Sequence, residues 1–174
     1  MWADRHPGKA KNTVPVESPL KHVKAKLNLK QYLLKQEAQK GIQPILKRFL
    51  LAGHIWLCQL PYNTPILSVN KPNSDECRLV QDLRAINEMV QDLHPVVPNP
   101  YTLLTNVPGH YECFTLLDLK DAFFCVPLAK EAQLLFAFKW QDPDTQSTQQ
   151  YCWTALLQGF KNSPTIFGEL LAKD

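Results

Sequence analysis

The sequence has few glycines and no long apolar run. It holds six glycines against fourteen prolines in 174 residues, and this balance favours fixed turns over flexible loops. No stretch of about 18 consecutive apolar residues occurs, so a typical membrane-spanning helix is not expected. The first residues also lack the charged and then apolar pattern of a secretory signal peptide. We therefore expect an intracellular protein without a membrane partner.

Cysteine pairs are lacking as well. Five cysteines are present, but they are scattered singly and none forms a Cys-x-x-Cys pair. An odd and dispersed set is typical of reduced, buried thiols rather than of a disulfide framework or a zinc site. We expect no disulfides and assign no catalytic role to Cys58, Cys77, Cys113, Cys125 or Cys152.

Charge is unevenly distributed along the chain. The net charge is +3, but residues 1–50 hold eleven Lys and Arg against three Asp and Glu, whereas residues 51–174 hold eight against thirteen. A basic arm, residues 1–30, joined to a mildly acidic body indicates a polyanionic partner, and a solvated tail is the simpler alternative. The lysines of the arm that we expect to contact nucleic acid are Lys21, Lys24, Lys26 and Lys30.

Periodicity predicts where the first half of the chain is helical. Residues 1–30 show neither helical nor strand periodicity, and we expect them to be extended and to pack poorly. Residues 31–51 carry an apolar stripe at helical spacing, and Gly53 would stop that helix. Residues 83–90 predict a short helix, and the proline-rich stretch 93–104 predicts an extended connection.

Two β-hairpins are predicted by apolar stretches that flank polar turns. The first has strands at 64–69 and 77–83, with Lys71 near its tip and Arg78 on its return strand. The strands of the second are expected at 134–140 and 149–156.

The second half of the chain adds a strand and two helical segments. Residues 111–119 read as an apolar strand, and residues 121–128 as one or two helical turns that end at Pro127. A last helix is expected with Ser163 as its N-cap and Pro164 at its first position. The order of elements predicts an α+β fold, with mostly antiparallel sheet and packed helices.

Two aspartates, Asp118 and Asp121, follow the predicted strand in "LLDLKDAFF". Helix capping is the simpler interpretation, since Asp often satisfies free N–H groups at the start of a helix. Asp118, however, ends an apolar run and would be partly desolvated, which is costly unless a cation compensates its charge. A carboxylate at a strand end is therefore a candidate ligand for a hard metal ion such as Mg²⁺.

Other residues could complete a nucleotide site around such a metal. A polyphosphate bound to Mg²⁺ needs cationic groups, which Lys71 and Arg78 can supply. Phe123 and Phe124 can form an apolar floor for a base and a sugar, and "LLQGFKNSP" places Gln158 at a turn before a helix. Each feature has a plainer alternative: a solvated hairpin, two core aromatics and a loop.

Together these blocks resemble the reverse transcriptase of gammaretrovirus-type Pol polyproteins. The resemblance rests on "LDLKDAFF", "QGFKNSPTIF", "VQDLRAIN" and "HPVVPNPYTLL", and it extends over nearly the whole chain. It implies a right-hand polymerase fold, in which residues 1–30 are an arm, 31–110 form the fingers and 111–174 form the first part of the palm. It also implies an RNA-directed DNA polymerase, a nucleotidyltransferase, that derives from an endogenous retrovirus, a transposable element.

The resemblance further implies roles for single residues. Asp118 would be the first catalytic carboxylate and, with the backbone of Leu119, a ligand of Mg²⁺ or Mn²⁺. Asp121 and Ala122 would offer backbone N–H groups to the incoming triphosphate, and Phe123 would be the steric gate that excludes a ribose 2′-hydroxyl. The remaining nucleotide-binding residues implied are Lys71 and Arg78, which would clamp the phosphates, and Gln158, which would lie beside the nucleotide and the template.

The same resemblance implies that these residues alone are an incomplete enzyme. The family's aromatic-x-Asp-Asp hairpin, which carries the other catalytic carboxylates, would lie beyond Asp174, as would the thumb, connection and RNase H regions. Because one carboxylate cannot hold two metal ions in line, we expect the chain by itself to be inactive on template-primer and dNTP. The alternatives are a non-catalytic remnant that binds nucleic acid or protein, and an unstable pseudogene product.

Overall fold

The computed structural model describes residues 13–21, 27–70, 77–94, 105, 107–115, 118–119 and 121–173. The helices of these parts are α1 (Gln36–Leu51), α2 (Arg84–Met89), α3 (Lys130–Gln133) and α4 (Ser163–Leu171). The strands are β1 (Ile55–Leu57), β2 (Ile66–Asn70), β3 (Cys77–Gln81), β4 (Phe138–Gln141) and β5 (Thr148–Trp153). Two 3-10 turns lie at Ala122–Cys125 and Leu134–Phe136. The expected mixture of helices and antiparallel sheet is confirmed.

Helix α1 forms because its apolar residues share one face. Ile42, Leu46 and Phe49 are buried at spacings of four and three residues, and they pack on the core. The helix begins at Gln36 rather than at residue 31. The residues before it are extended because the Gln31 side chain exchanges two hydrogen bonds with the backbone of Ile66, at 2.8 and 2.9 Å.

The end of α1 is a Schellman motif, as the glycine predicts. Gly53 has φ of 69° and donates its N–H to the carbonyl of Leu50 at 3.0 Å. The N–H of His54 reaches the carbonyl of Phe49 at 2.9 Å. These two bonds satisfy carbonyl groups in the last turn of the helix. Gly53 has the left-handed conformation, which glycine adopts with the least strain.

The strands form two antiparallel sheets. β2 and β3 make the first predicted hairpin, in which Val69 lies opposite Arg78. β4 and β5 make the second, in which Phe138 lies opposite Tyr151, and β1 adds a third strand on the other side of β5 with Leu57 opposite the same tyrosine. β1 and the single turn α3 were not predicted, because stretches of three or four residues are too short to show a period.

The strand predicted at 111–119 is wrong for the residues that the structure describes. Residues 111–115 and 118–119 adopt no regular structure and are exposed, and Phe114 keeps 74% of its surface accessible. The five strands pair only with one another. This apolar stretch therefore has no partner strand within the described ranges, and an apolar run cannot form a ladder without one.

The N-cap predicted at Ser163 is also wrong. Ser163 is the first residue of α4, and its hydroxyl donates to the carbonyl of Leu157 at 2.7 Å. Asn162 holds the N-cap position without a side-chain cap, because its amide binds another segment. Pro164 lies in the first turn, where its missing N–H costs nothing.

The arm is docked on the body wherever it is described. The N–H of Val16 donates to Pro127 at 2.9 Å, and the N–H of Ala129 donates back to Val16 at 2.8 Å. The N–H of Lys21 donates to Met89 at 2.8 Å. The arm is extended as predicted, but the expectation that it packs poorly is wrong for residues 13–21, because their backbone groups pair with distant segments.

One continuous core joins the elements. Its fully buried side chains come from α1, β2, α2, the second 3-10 turn and the loop after β5, and they include Ile42, Ile66, Ile86, Phe136 and Leu156. Within the described parts of the chain, no helix is both long and apolar enough to cross a bilayer.

Candidate functional site

Asp118 lies in water rather than in an apolar surrounding. Asp118 and Leu119 are exposed on irregular backbone, and Leu119 keeps 54% of its surface accessible. The expected desolvation of Asp118 is therefore wrong, because the strand that would have buried it is not formed. A solvated carboxylate needs no compensating cation, so burial gives no argument for a metal at this position.

The described residues do not form a metal site. Among them, no group of three or more His, Cys, Asp or Glu side chains is arranged to hold an ion. Mg²⁺ or Mn²⁺ is held by several oxygen ligands in a near-octahedral shell. Among the described residues, Asp118 therefore belongs to no ligand set that could hold such an ion by itself.

The turn after Asp118 has an unusual backbone. Asp121 adopts the left-handed conformation with φ of 55°, and its carbonyl accepts the N–H of Phe124 at 3.0 Å. It occupies the N-cap position of the 3-10 turn but makes no side-chain cap, so the capping alternative does not explain this carboxylate. Left-handed residues other than glycine are uncommon and concentrate at functional sites.

The two phenylalanines of the predicted apolar floor point to different places. Phe124 stacks on Trp153, with centroids 5.5 Å apart and planes within 1°, and it also contacts Phe49 and His54. It is half-buried and packs against the core, which favours its plainer alternative. Phe123 is half-buried as well, and its ring meets that of Phe167 of α4 at 5.7 Å and 83°. The two rings therefore differ in their neighbours, and part of Phe123 stays accessible beside α4.

A second turn carries Gln158, which is exposed. Gly159 follows it with φ of 85°, and Phe160 then enters the core. Asn87, just inside the end of α2, donates its amide to the carbonyl of Gly159 at 3.0 Å and accepts the N–H of Lys161 at 2.9 Å. The turn is thus held by one side chain that lies about 70 residues earlier in the chain.

Further bonds join this turn to the segment after α2. Lys161 donates its ammonium group to the carbonyl of Val90 at 2.9 Å and to the carboxylate of Asp92 at 2.5 Å. The hydrogen bond from Lys161 lowers the pKa of Asp92. Asn162 donates to the carbonyl of Gln91 at 2.9 Å and accepts the N–H of Leu93 at 3.2 Å.

The predicted cations are only partly placed. Arg78 is exposed on β3, whereas Lys71, Lys24 and Lys26 lie outside the described residues. In the arm, Lys30 is exposed. The ammonium group of Lys21 lies 3.7 Å from a carboxylate oxygen of Asp92, so part of its charge is compensated within the protein.

A polar cluster that the sequence did not predict lies beside α2. Arg84 binds both oxygens of Asp82, at 2.9 and 2.6 Å, and the hydroxyl of Tyr32 donates to the same carboxylate at 2.6 Å. The hydrogen bond from Arg84 holds the pKa of Asp82 well below its usual range, while the bond to Asp82 raises the pKa of Tyr32. The guanidinium itself remains largely exposed.

The structure therefore brings some of the predicted residues together and separates others. The 3-10 turn with Ala122 and Phe123 packs on α4, the helix that follows the Gln158 turn. Asp118 lies on exposed, irregular backbone just before the 3-10 turn. Sequence reasoning assigned no role to Asn87, although it ends the quoted block "VQDLRAIN", and only its partners in the structure reveal its role.

Comparison with known proteins gives a consistent family. The model of the family described as "Reverse transcriptase (RNA-dependent DNA polymerase)" matches residues 69–173. The Gag-Pol polyprotein of woolly monkey sarcoma virus is 49% identical over 175 residues, which cover 100% of this chain and 10% of that protein. The Gag-Pol polyprotein of koala retrovirus is 48% identical with the same coverage.

A shorter relative gives the same result. The Pol polyprotein of feline endogenous virus ECE1 is 49% identical over 167 residues, covering 96% of this chain and 16% of that protein. The chain therefore spans only a small part of the curated relatives that it matches.

Proposed function

The chain belongs to the reverse transcriptase family, and from this premise we propose that it is the fingers and first palm portion of an RNA-directed DNA polymerase in a retroviral Pol protein. The observation that carries the proposal is the family match over residues 69–173, which includes both the Asp118 block and the Gln158 block. Template-primer and dNTP are the proposed substrates, and an endogenous retrovirus is the proposed origin.

In this proposal the two turns form the nucleotide site. Ala122 and the left-handed Asp121 offer backbone N–H groups to the triphosphate, and Phe123 is the gate against a ribose 2′-hydroxyl. The contact between Phe123 and Phe167 supports this role, because it holds the half-buried ring against α4 while part of the ring stays accessible. Gln158 lies at the second turn, exposed to the same substrate.

The described residues include only part of the proposed phosphate clamp and only part of the proposed metal site. Arg78 is exposed, as a phosphate ligand must be, and Lys71 is proposed beside it. Asp118 is the proposed metal-binding and catalytic carboxylate, with the Leu119 backbone. The described residues form no set of three metal ligands, so the other ligands of the metal are proposed to come from the remainder of the Pol protein.

A non-catalytic role in nucleic-acid binding is the second candidate. The exposed Lys30 and Arg78 favour it, because binding to phosphates requires cations but no metal centre. The arm would contribute through Lys30 more than through Lys21, since Lys21 is near Asp92.

A chimeric enzyme tests the catalytic proposal. Residues 1–174 would replace the matching segment of the feline leukemia virus Pol polyprotein, which is 49% identical, and incorporation of dNTP on an RNA template would be measured. We expect template-directed synthesis, and we expect Asp118→Asn in the same chimera to abolish it. A chimera that binds template-primer but incorporates no more than its Asp118→Asn form would refute the proposal and support the second candidate.

Two measurements on the 174-residue polypeptide complete the test. We expect no incorporation by this polypeptide alone. Its binding to an RNA–DNA hybrid would be measured by fluorescence anisotropy and should weaken steeply as salt is added. Each phosphate contact that is lost should reduce the slope of log K against log salt by about 0.9. Lys30→Gln should reduce this slope more than Lys21→Gln. Equal effects would contradict the assignment of Lys21 to an internal ion pair.

A further inference from the structure

Side-chain amides bind the backbone of distant segments at several places in this fold. Gln31 exchanges two bonds with Ile66, and Gln150 accepts the N–H of Leu60 at 2.7 Å while donating to its carbonyl at 3.2 Å. Each amide presents an N–H donor and its carbonyl acceptor to one backbone residue, as a neighbouring strand would. Such an amide, here called a clamp, ties two distant segments of the backbone together.

Asn87 is the clamp that acts on the candidate site. Its two bonds go to the carbonyl of Gly159 and to the N–H of Lys161, so they enclose the peptide groups on both sides of Phe160. Phe160 is buried against Phe136, with ring centroids 5.2 Å apart. The turn is therefore fixed from the core by an aromatic ring and from α2 by an amide.

Gln158 directly precedes this fixed turn. The left-handed Gly159 directs the chain into the core, and residue 158 is left at the surface. Without Asn87, the carbonyl of Gly159 and the N–H of Lys161 would lose these partners, and the turn could rotate about the glycine. The direction of Gln158 depends on that rotation.

We propose that Asn87 is a positioning residue that holds Gln158 in the orientation used for the incoming nucleotide. This inference rests on the proposed function for the nucleotide, but the ordering of Gln158 by Asn87 is a property of the chain itself. Asn87 need not touch the substrate. Its effect passes through the backbone of residues 159–161.

The test compares two matched clamps in the 174-residue chain. Asn87→Ala removes the clamp on the turn, and Gln31→Ala removes a clamp of the same chemistry at Ile66. Amide hydrogen exchange would be measured by NMR at Lys161 and Ile66, together with ¹⁵N relaxation of Gln158. Asn87→Asp keeps the acceptor for Lys161 but removes the donor to Gly159.

We expect Asn87→Ala to speed exchange at Lys161 roughly fivefold to tenfold, the effect of one lost hydrogen bond, and to increase the motion of Gln158. Exchange at Ile66 should stay unchanged, and Gln31→Ala should give the reverse pattern. Asn87→Asp should leave Lys161 protected while Gln158 becomes more mobile. Unchanged exchange at Lys161, or equal loosening at both positions in both variants, would overturn the proposal, since it would indicate a merely global effect.

A binding cycle links the ordering to the nucleotide. Retention of a complementary dNTP on chain bound to template-primer would be measured for Asn87→Ala, Gln158→Ala and the double variant. We expect the double variant to be no weaker than Gln158→Ala alone, whereas independent, multiplicative losses would overturn the proposal. If the unaltered chain retains no dNTP, the same cycle is measured in the chimera, where failure to retain dNTP would refute the proposed function, and the exchange experiment decides the positioning by itself.

Discussion

Replacing Gly159 by alanine should destabilise the protein for a purely conformational reason. Gly159 has φ of 85°, and a Cβ built there would find its nearest atom, Cδ1 of Leu83, at 4.0 Å. There is thus room for the methyl group. The left-handed conformation of an L-residue lowers the free energy of unfolding by about 1–2 kcal/mol. The reduced entropy of the unfolded chain raises it by about 0.4–1 kcal/mol. The net loss is about 1 kcal/mol.

Gly168 provides the matched control. It lies inside α4 and a Cβ there would meet nothing within 4 Å. Alanine at this position should raise the free energy of unfolding by about 0.5–1 kcal/mol, because glycine is a poor helix former. The two substitutions add the same methyl group and should shift stability in opposite directions.

Urea unfolding followed by circular dichroism measures both effects. With a slope of about 2 kcal/mol per molar urea, Gly159→Ala should lower the midpoint by about 0.5 M, and Gly168→Ala should raise it by about 0.3 M. The reasoning would be refuted if Gly159→Ala left the midpoint unchanged or raised it while Gly168→Ala behaved as expected. That result would mean that residue 159 is not left-handed in solution.

Three further outcomes are expected. Asp82→Asn should lower the urea midpoint at pH 7, and the difference from the parent should shrink as the pH falls below about 4. A carboxylate with a depressed pKa stabilises the fold above its unfolded pKa and loses that effect on protonation. A constant difference down to pH 2 would contradict this. When the protein is treated with iodoacetamide and labelling is followed by mass spectrometry, the exposed Cys113 should be labelled first and Cys152 last. Burial raises the pKa of the Cys152 thiol and shields it from the reagent. Early labelling of Cys152 would show that β5 opens readily. Phe124→Ala should cost about 3 kcal/mol, as expected for an aromatic in a packed cluster, and a loss below 1 kcal/mol on thermal unfolding would show that the ring is not in the core.

Local patterns predicted the elements that depend on local interactions. The apolar stripe of α1, the stop at Gly53 and both hairpins follow from spacing and turn chemistry that neighbouring residues determine. The strand at 111–119 failed because apolar composition reports a tendency to be buried, whereas a strand also needs a partner. Composition cannot supply that information.

The candidate site was predictable in its motifs and not in its geometry. The blocks around Asp118 and Gln158 indicated a nucleotide site before any fold was known. Phe123 and Phe124 are adjacent in sequence and chemically identical, so only packing against Phe167 or Trp153 distinguishes them. The block "VQDLRAIN" contains Asn87, but the sequence does not show its role, because its partners are backbone groups about 70 residues away.

The docking of the arm has a consequence during synthesis. Val16 leaves the ribosome early, but its partners Pro127 and Ala129 follow only after about 110 further residues, which takes roughly 6–20 s at common elongation rates. Throughout that interval the backbone groups of Val16 lack the partners that they have in the folded chain. The arm is thus made well before the segment that binds Val16, and until that segment follows, its basic residues stay near the polyanions of the ribosome and its messenger.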